Sequence, residues 1–156
     1  YLTKGTVLFI ILMPFSNGIT CLILVLRHNI SNPIAKIVGF EDAAVDPVDW
    51  PIAPAVGIQN LLSRHRLDAT KDIDRWEINE AFAMVTMLTT HALDLDSACV
   101  NVHGGACAQG HPIGSTGSRI IVTLMHALEH YGKQRGVAAL CIGGGEATAV
   151  AIELVA

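Results

Sequence analysis

Charge is scarce in this chain. Asp, Glu, Lys and Arg together make up 15% of its 156 residues, against 51% apolar residues. That proportion is lean for a free-standing surface and predicts a domain that buries much of itself against another domain or subunit. Basic runs are missing too and the net charge is −4, which argues against nucleic acid as a partner. The four cysteines (Cys21, Cys99, Cys107 and Cys141) form neither a CxxC pair nor a disulfide framework, so a reduced, intracellular setting is expected. Repeats and low-complexity tracts are absent as well. The length suits one ordinary domain with a sizeable core.

Only one stretch is long and free of charge. Residues 5–26, GTVLFIILMPFSNGITCLILVL, are mostly aliphatic and long enough to cross a membrane, with Lys4 before them and Arg27 after. The sequence PFSNG at Pro14–Gly18 divides them into two strand-sized runs bounded by a turn signal. Two buried strand or helix pieces are the better reading, and a membrane segment is the alternative. The chain opens on Tyr1 rather than Met, which favours a fragment or processed product.

Beyond this stretch the pattern alternates. Ile34–Phe40 reads as a strand, and two prolines in a polar loop lead to a helical stretch near Val56–Arg66. Ile73–Ile78 (IDRWEI) alternates like a half-buried strand, and Ala81–Leu93 repeats its apolar positions at helical spacing. Ala98–Val102 is a short strand entering a glycine-rich loop. Ile120, Leu124 and Leu128 stripe the next helix, Val137–Ile142 is a buried strand, Gly143–Gly145 a turn and Ala147–Val155 a last strand. The order β-α-β-α-β-α-β-β implies an α/β layered sheet.

Three strand ends carry chemistry. Asn79 ends one strand, where its amide can hold a water or bond a carbonyl compound; capping the following helix is the alternative. The loop NVHGGACAQGHPIGSTGS at Asn101–Ser118 places His111 before Pro112, and its glycines suit a backbone that a ligand approaches closely. The helix after it offers N–H groups to a phosphate or a developing oxyanion. Cys141 ends a buried strand beside the glycines 143–145; an inert core thiol is its alternative. A cysteine, a histidine and an asparagine at strand ends of one sheet can share a cleft. There they can deprotonate a weak carbon acid or activate a nucleophile, with glycine N–H groups stabilising the oxyanion. Acyl or carbon–carbon chemistry on a carbonyl compound is the expected outcome.

At these residues the sequence resembles the thiolase family. NEAFA at Asn79–Ala83, NVHGGACAQGHPIGSTGSR at Asn101–Arg119 and CIGGGEATA at Cys141–Ala149 match three C-terminal motifs of that family in the right order. The resemblance covers roughly residues 32–156 and implies the C-terminal half of the thiolase fold, a mixed sheet with helices on both faces. Residues 1–30 would then be an apolar remnant of the preceding region, or a divergent or membrane-like segment, and residues 31–156 the C-terminal domain. The implied activity is that of an acetyl-CoA C-acetyltransferase or 3-ketoacyl-CoA thiolase. By resemblance, His111 would help activate a nucleophilic cysteine and donate to the thioester oxygen, and Asn79 would hold the water that completes this oxyanion site. Cys141 would remove and return the α-proton, and the N–H of Gly143 would serve a second oxyanion hole. Phe82, Gly110 and Pro112 would line the substrate pocket, with a core position as the alternative for Phe82.

The same resemblance implies what else the reaction needs. The substrate is a coenzyme A thioester, without a further cofactor or a metal. The nucleophilic cysteine and much of the coenzyme A site belong to an N-terminal thiolase half, and neither Cys21, Cys99 nor Cys107 has the setting of that nucleophile. The chain alone is therefore expected to be inactive. A homo-oligomer in the cytoplasm or mitochondrion, without nucleic acid or membrane partners, is implied. The other reading is a non-catalytic thiolase-like domain kept for dimerisation or acyl-CoA binding. A metal site at His103, Cys107 and His111 would need one regular helix through intervening glycines. The GGG turn leads toward a strand, unlike a phosphate loop.

Overall fold

A computed structural model of the chain describes the backbone of residues 6–15 and 18–27 and all of residues 34–155. Strands β1 (Thr6–Phe15) and β2 (Gly18–Arg27) pair antiparallel, in register from Thr6 opposite Arg27 to Phe15 opposite Gly18. The expected turn at Ser16 and Asn17 lies outside the described residues. No helix among the described residues is long and apolar enough to cross a membrane.

The rest is a four-stranded mixed sheet between helices. Its strands are β3 (Ala35–Ala44), β4 (Arg75–Ile78), β5 (Arg135–Cys141) and β6 (Glu146–Leu154), in the spatial order β3-β6-β5-β4. β4 and β5 run parallel, whereas β6 is antiparallel to both β5 and β3. Helix α1 (Ala53–His65) covers one face. Its Ile58 and Leu61 pack with Trp76, Ile78, Val137, Ala139, Ala149 and Ala151. Helix α4 (Thr116–His130) covers the other, where its Ile120, Leu124 and Leu128 meet Ala138, Leu140 and Ile152. The expected stripe of α4 is thus its buried face. Successive residues of a strand point to opposite faces, so β5 and β6 can feed both layers from small and aliphatic side chains.

Three expectations need correction. Ala98–Val102 is not a strand: Ser97–Cys99 form a 3-10 turn, and the segment touches the sheet through one parallel bridge between Trp76 and Val100. Helix α2 (Ala83–Ala92) begins two residues after the expected Ala81, with extended Phe82 as its N-cap, so Asn79 is not a helix cap. The alternation in IDRWEI marks no solvent face either, because Trp76, Glu77 and Ile78 are all buried. A strand covered by helices on both sides buries its polar positions together with its apolar ones.

Candidate active site

The chain crosses from β4 to its parallel neighbour β5 by way of α4, which packs on both strands. A helix in that crossover runs against the strands, so its N-terminus lies over their carboxyl ends. Asn79, Cys141 and the loop carrying His111 are brought to this one edge. No hydrogen bond among the described residues joins the three side chains to one another.

Asn79 follows β4 and still pairs with β5, its N–H donating to the Ala139 carbonyl at 2.9 Å. Its side chain is 1% exposed, and neither its Oδ1 nor its Nδ2 has a partner among the described residues. Asn101 secures this strand end. Its side-chain Oδ1 accepts from the Ile78 N–H at 2.8 Å while its Nδ2 donates to the Ile78 carbonyl at 2.9 Å, as a neighbouring strand's backbone would. Glu80 makes the second tie, its carboxylate accepting the Cys107 N–H at 2.8 Å at the start of the short helix α3 (Ala106–Gln109). Gly105 permits this approach, since a Cβ there would collide with the Glu80 carboxyl group.

His111 is exposed, and its Nδ1 lies 2.7 Å from Thr116 Oγ1, which in turn donates to the Pro112 carbonyl at 3.1 Å. One assignment of protons satisfies both bonds: Nδ1–H donates to Thr116, and Nε2 is left with its lone pair free. Partial burial, helped by the Arg119 guanidinium, holds the imidazole below its ordinary pKa of 6.5, so the neutral base dominates at neutral pH. The N–H groups of Ser115 and Thr116 both donate to the Pro112 carbonyl, at 2.7 and 2.9 Å. Gly110 takes φ +94 beside His111, a left-handed conformation that glycine adopts without steric cost.

Cys141 is half-buried, and burial raises its thiol above the ordinary value of 9.0, keeping it protonated at rest. In the following turn the Gly144 N–H is occupied by the Glu146 carboxylate at 3.1 Å. The Gly143 N–H is exposed and has no hydrogen bond among the described residues. The backbone N–H free to meet a ligand next to Cys141 is therefore that of Gly143. Phe82 is 63% exposed, with its ring 5.7 Å from that of Trp50. His103 and His111 flank α3 rather than share it, and the His103 ring packs instead near His130 and Tyr131.

Two residues escaped the sequence reading. Asn101 opens the glycine loop, and its φ of +48 was the kind of backbone demand that asparagine meets. Glu77, 2% exposed, is pushed up to about 7 by burial, with Arg119 pulling it down and Glu80 raising it. An acid between tryptophan and isoleucine in a strand of an α/β layer was the available signal.

Comparison with known proteins identifies the family of the chain. The profile of the family described as "Thiolase, C-terminal domain" matches residues 31–154. Mitochondrial acetyl-CoA acetyltransferase B of Xenopus laevis is 53% identical over 127 residues, covering 81% of this chain and 29% of that protein. The crystal structure of the Bacillus anthracis acetyl-CoA acetyltransferase superposes with a TM-score of 0.77 at 44% identity, over 80% of this chain and 31% of the other. Acat5 thiolase from Ascaris suum, solved in complex with coenzyme A, gives 0.75 at 48% identity, over 80% and 32%. The chain thus spans about a third of the length of these relatives.

Proposed function

The chain belongs to the thiolase family, and from that membership we propose that it supplies the C-terminal catalytic domain, residues 31–156, of an enzyme moving acyl groups between coenzyme A thioesters. The reaction is 3-ketoacyl-CoA cleavage or its reverse, acetoacetyl-CoA formation. The observation that carries this reading is the convergence of Asn79, His111 and Cys141 on one sheet edge, with a free Gly143 N–H beside the thiol.

Each group has a chemical task suited to its surroundings. Neutral His111 accepts the proton of a nucleophilic cysteine at Nε2, and the resulting N–H then donates to the thioester oxygen of the incoming substrate. Thr116 holds the ring through Nδ1 during both steps. The Asn79 amide holds a water opposite His111 on that oxygen. Cys141, protonated at rest, is suited to returning the proton to the α-carbon, and as thiolate it removes the proton in the condensing direction. The Gly143 N–H stabilises the oxyanion of the acylated cysteine. Phe82, Gly110 and Pro112 border the acyl-CoA pocket.

The nucleophile itself comes from an N-terminal thiolase half, so residues 1–156 alone form no acyl-enzyme and do not turn over. The name of the Xenopus relative supports a mitochondrial location. The decisive assay is acetoacetyl-CoA thiolysis by the chain, alone and together with a thiolase N-terminal half. Turnover is expected only in the combined sample and should disappear with His111→Ala or Cys141→Ala. Turnover by the chain alone that vanishes on Cys107→Ser or Cys21→Ser would overturn the assignment of the nucleophile. Wild-type rates in the two alanine variants would overturn the roles of His111 and Cys141.

A further inference from the structure

Glu77 on β4 and Asn79 just past its end are two residues apart in extended backbone that still pairs with β5, so their side chains leave on the same side, opposite Trp76 and Ile78 in the α1 core. That side is the one covered by α4, whose Arg119 reaches to within 3.8 Å of Glu77 Oε2. The arrangement is poor in hydrogen bonds. Glu77 Oε1, Asn79 Oδ1, Asn79 Nδ2 and Arg119 Nε are all buried, and all lack a partner among the described residues.

Four such atoms together are energetically untenable as dry groups. Each buried, unsatisfied polar atom costs about 1–3 kcal/mol, and four approach the whole stability of a typical domain, roughly 5–15 kcal/mol. Buried water removes the penalty, since one molecule makes about three hydrogen bonds to groups of this kind. Acceptors on Glu77 and Asn79 and donors on Asn79 and Arg119 match both faces of a water molecule.

We propose that Glu77, Asn79 and Arg119 enclose a buried water site behind the oxyanion centre, in which Glu77 is the positioning residue that fixes the water presented by Asn79. This inference rests on the functional reading above and adds to it an acid outside the three motif ends. Glu77 touches no substrate; it acts through the water and through Arg119, which also bonds the Gln109 side chain beside the His111 loop at 3.3 Å. The charged and titratable groups facing Glu77 are Arg119 from α4 and Glu80 from the strand end.

Two measurements test it. In infrared difference spectra of the chain across neutral pH, one carboxylic-acid band should disappear in Glu77→Gln and shift in frequency in Asn79→Ala, because the second variant removes a ligand of the shared water. A band that ignores Asn79→Ala overturns the proposal. In the enzyme completed by an N-terminal half, Glu77→Leu should lower kcat for thiolysis about 10- to 100-fold, the loss expected when one hydrogen bond to a charged group is removed, with KM little changed. Glu77→Gln, which can still bond water, should recover most of that loss. Equal losses in both variants, or none in Glu77→Leu, overturn the proposal. If Glu77→Leu does not fold, the infrared comparison decides. A completed wild-type enzyme without thiolysis defeats the functional reading alone and leaves the infrared result to judge the water site.

Discussion

Glu77 is the residue whose environment departs furthest from its sequence neighbourhood. Written in IDRWEI it looks like the polar partner of an alternating strand, yet it is 2% exposed and its pKa is raised from 4.5 to about 7. The folded state therefore binds a proton that the unfolded chain has already released between these two values. The resulting stabilisation is complete below about pH 4.5 and is lost as pH rises through about 7, a change of about 3 kcal/mol. Urea unfolding at a series of pH values should show this decline in the wild-type chain. In Glu77→Gln it should be absent, because the amide does not titrate. Identical pH profiles would show that Glu77 is not held protonated. Asn79, by contrast, was legible from sequence as a strand-end amide, and so were His111 and Cys141, since each stands in a short motif whose chemistry is local. Glu77 was not, because its properties come from the α4 layer placed over it.

At the level of the element, the glycine loop owes its shape to its contacts with the end of β4. Asn101 imitates a strand edge for Ile78, and Glu80 reaches across to the Cys107 N–H over the bare Cα of Gly105. Gly105 is buried and has no positive φ, so the reason for glycine there is space rather than backbone freedom. Gly105→Ala should push the Glu80 carboxyl away and break its bond to the start of α3, while Asn101 keeps the loop tied to Ile78. The expected readout is faster amide hydrogen exchange at Cys107 and a loss of roughly 0.5–1.5 kcal/mol in stability, the net worth of one hydrogen bond, because the flexible Glu80 side chain can swing aside. Exchange at Cys107 unchanged from wild type would refute this account of the contact. Glycine density marked the loop in the sequence, but which glycine lets which side chain pass depended on a residue some 25 positions away.

Over the whole molecule, the shortage of charge has a visible counterpart. Met84, Met87 and Leu88 recur at helical spacing on α2 and are all exposed, with Phe82 at its N-terminus. Phe40 and Ile34 are exposed at the β3 edge of the sheet. Apolar stripes of this kind mark surfaces meant to be covered. The chain alone should associate in a concentration-dependent way in sedimentation velocity, and Met87→Lys with Leu88→Lys should return it toward monomer. A wild-type chain that stays monomeric at high concentration would count against the patch as a contact surface. The sequence by itself determined the layered α/β class, the stripe of α4 and the strand ends at Asn79 and Cys141, because periodicity and short motifs are local properties. Only the tertiary structure decided that β4 lies covered on both faces, that Glu77 and Asn79 are buried with polar atoms that have no partner among the described residues, and that the Gly143 N–H is the free one. Those outcomes depend on which layers stack on which strand, and burial and hydrogen-bond partners are set by that stacking.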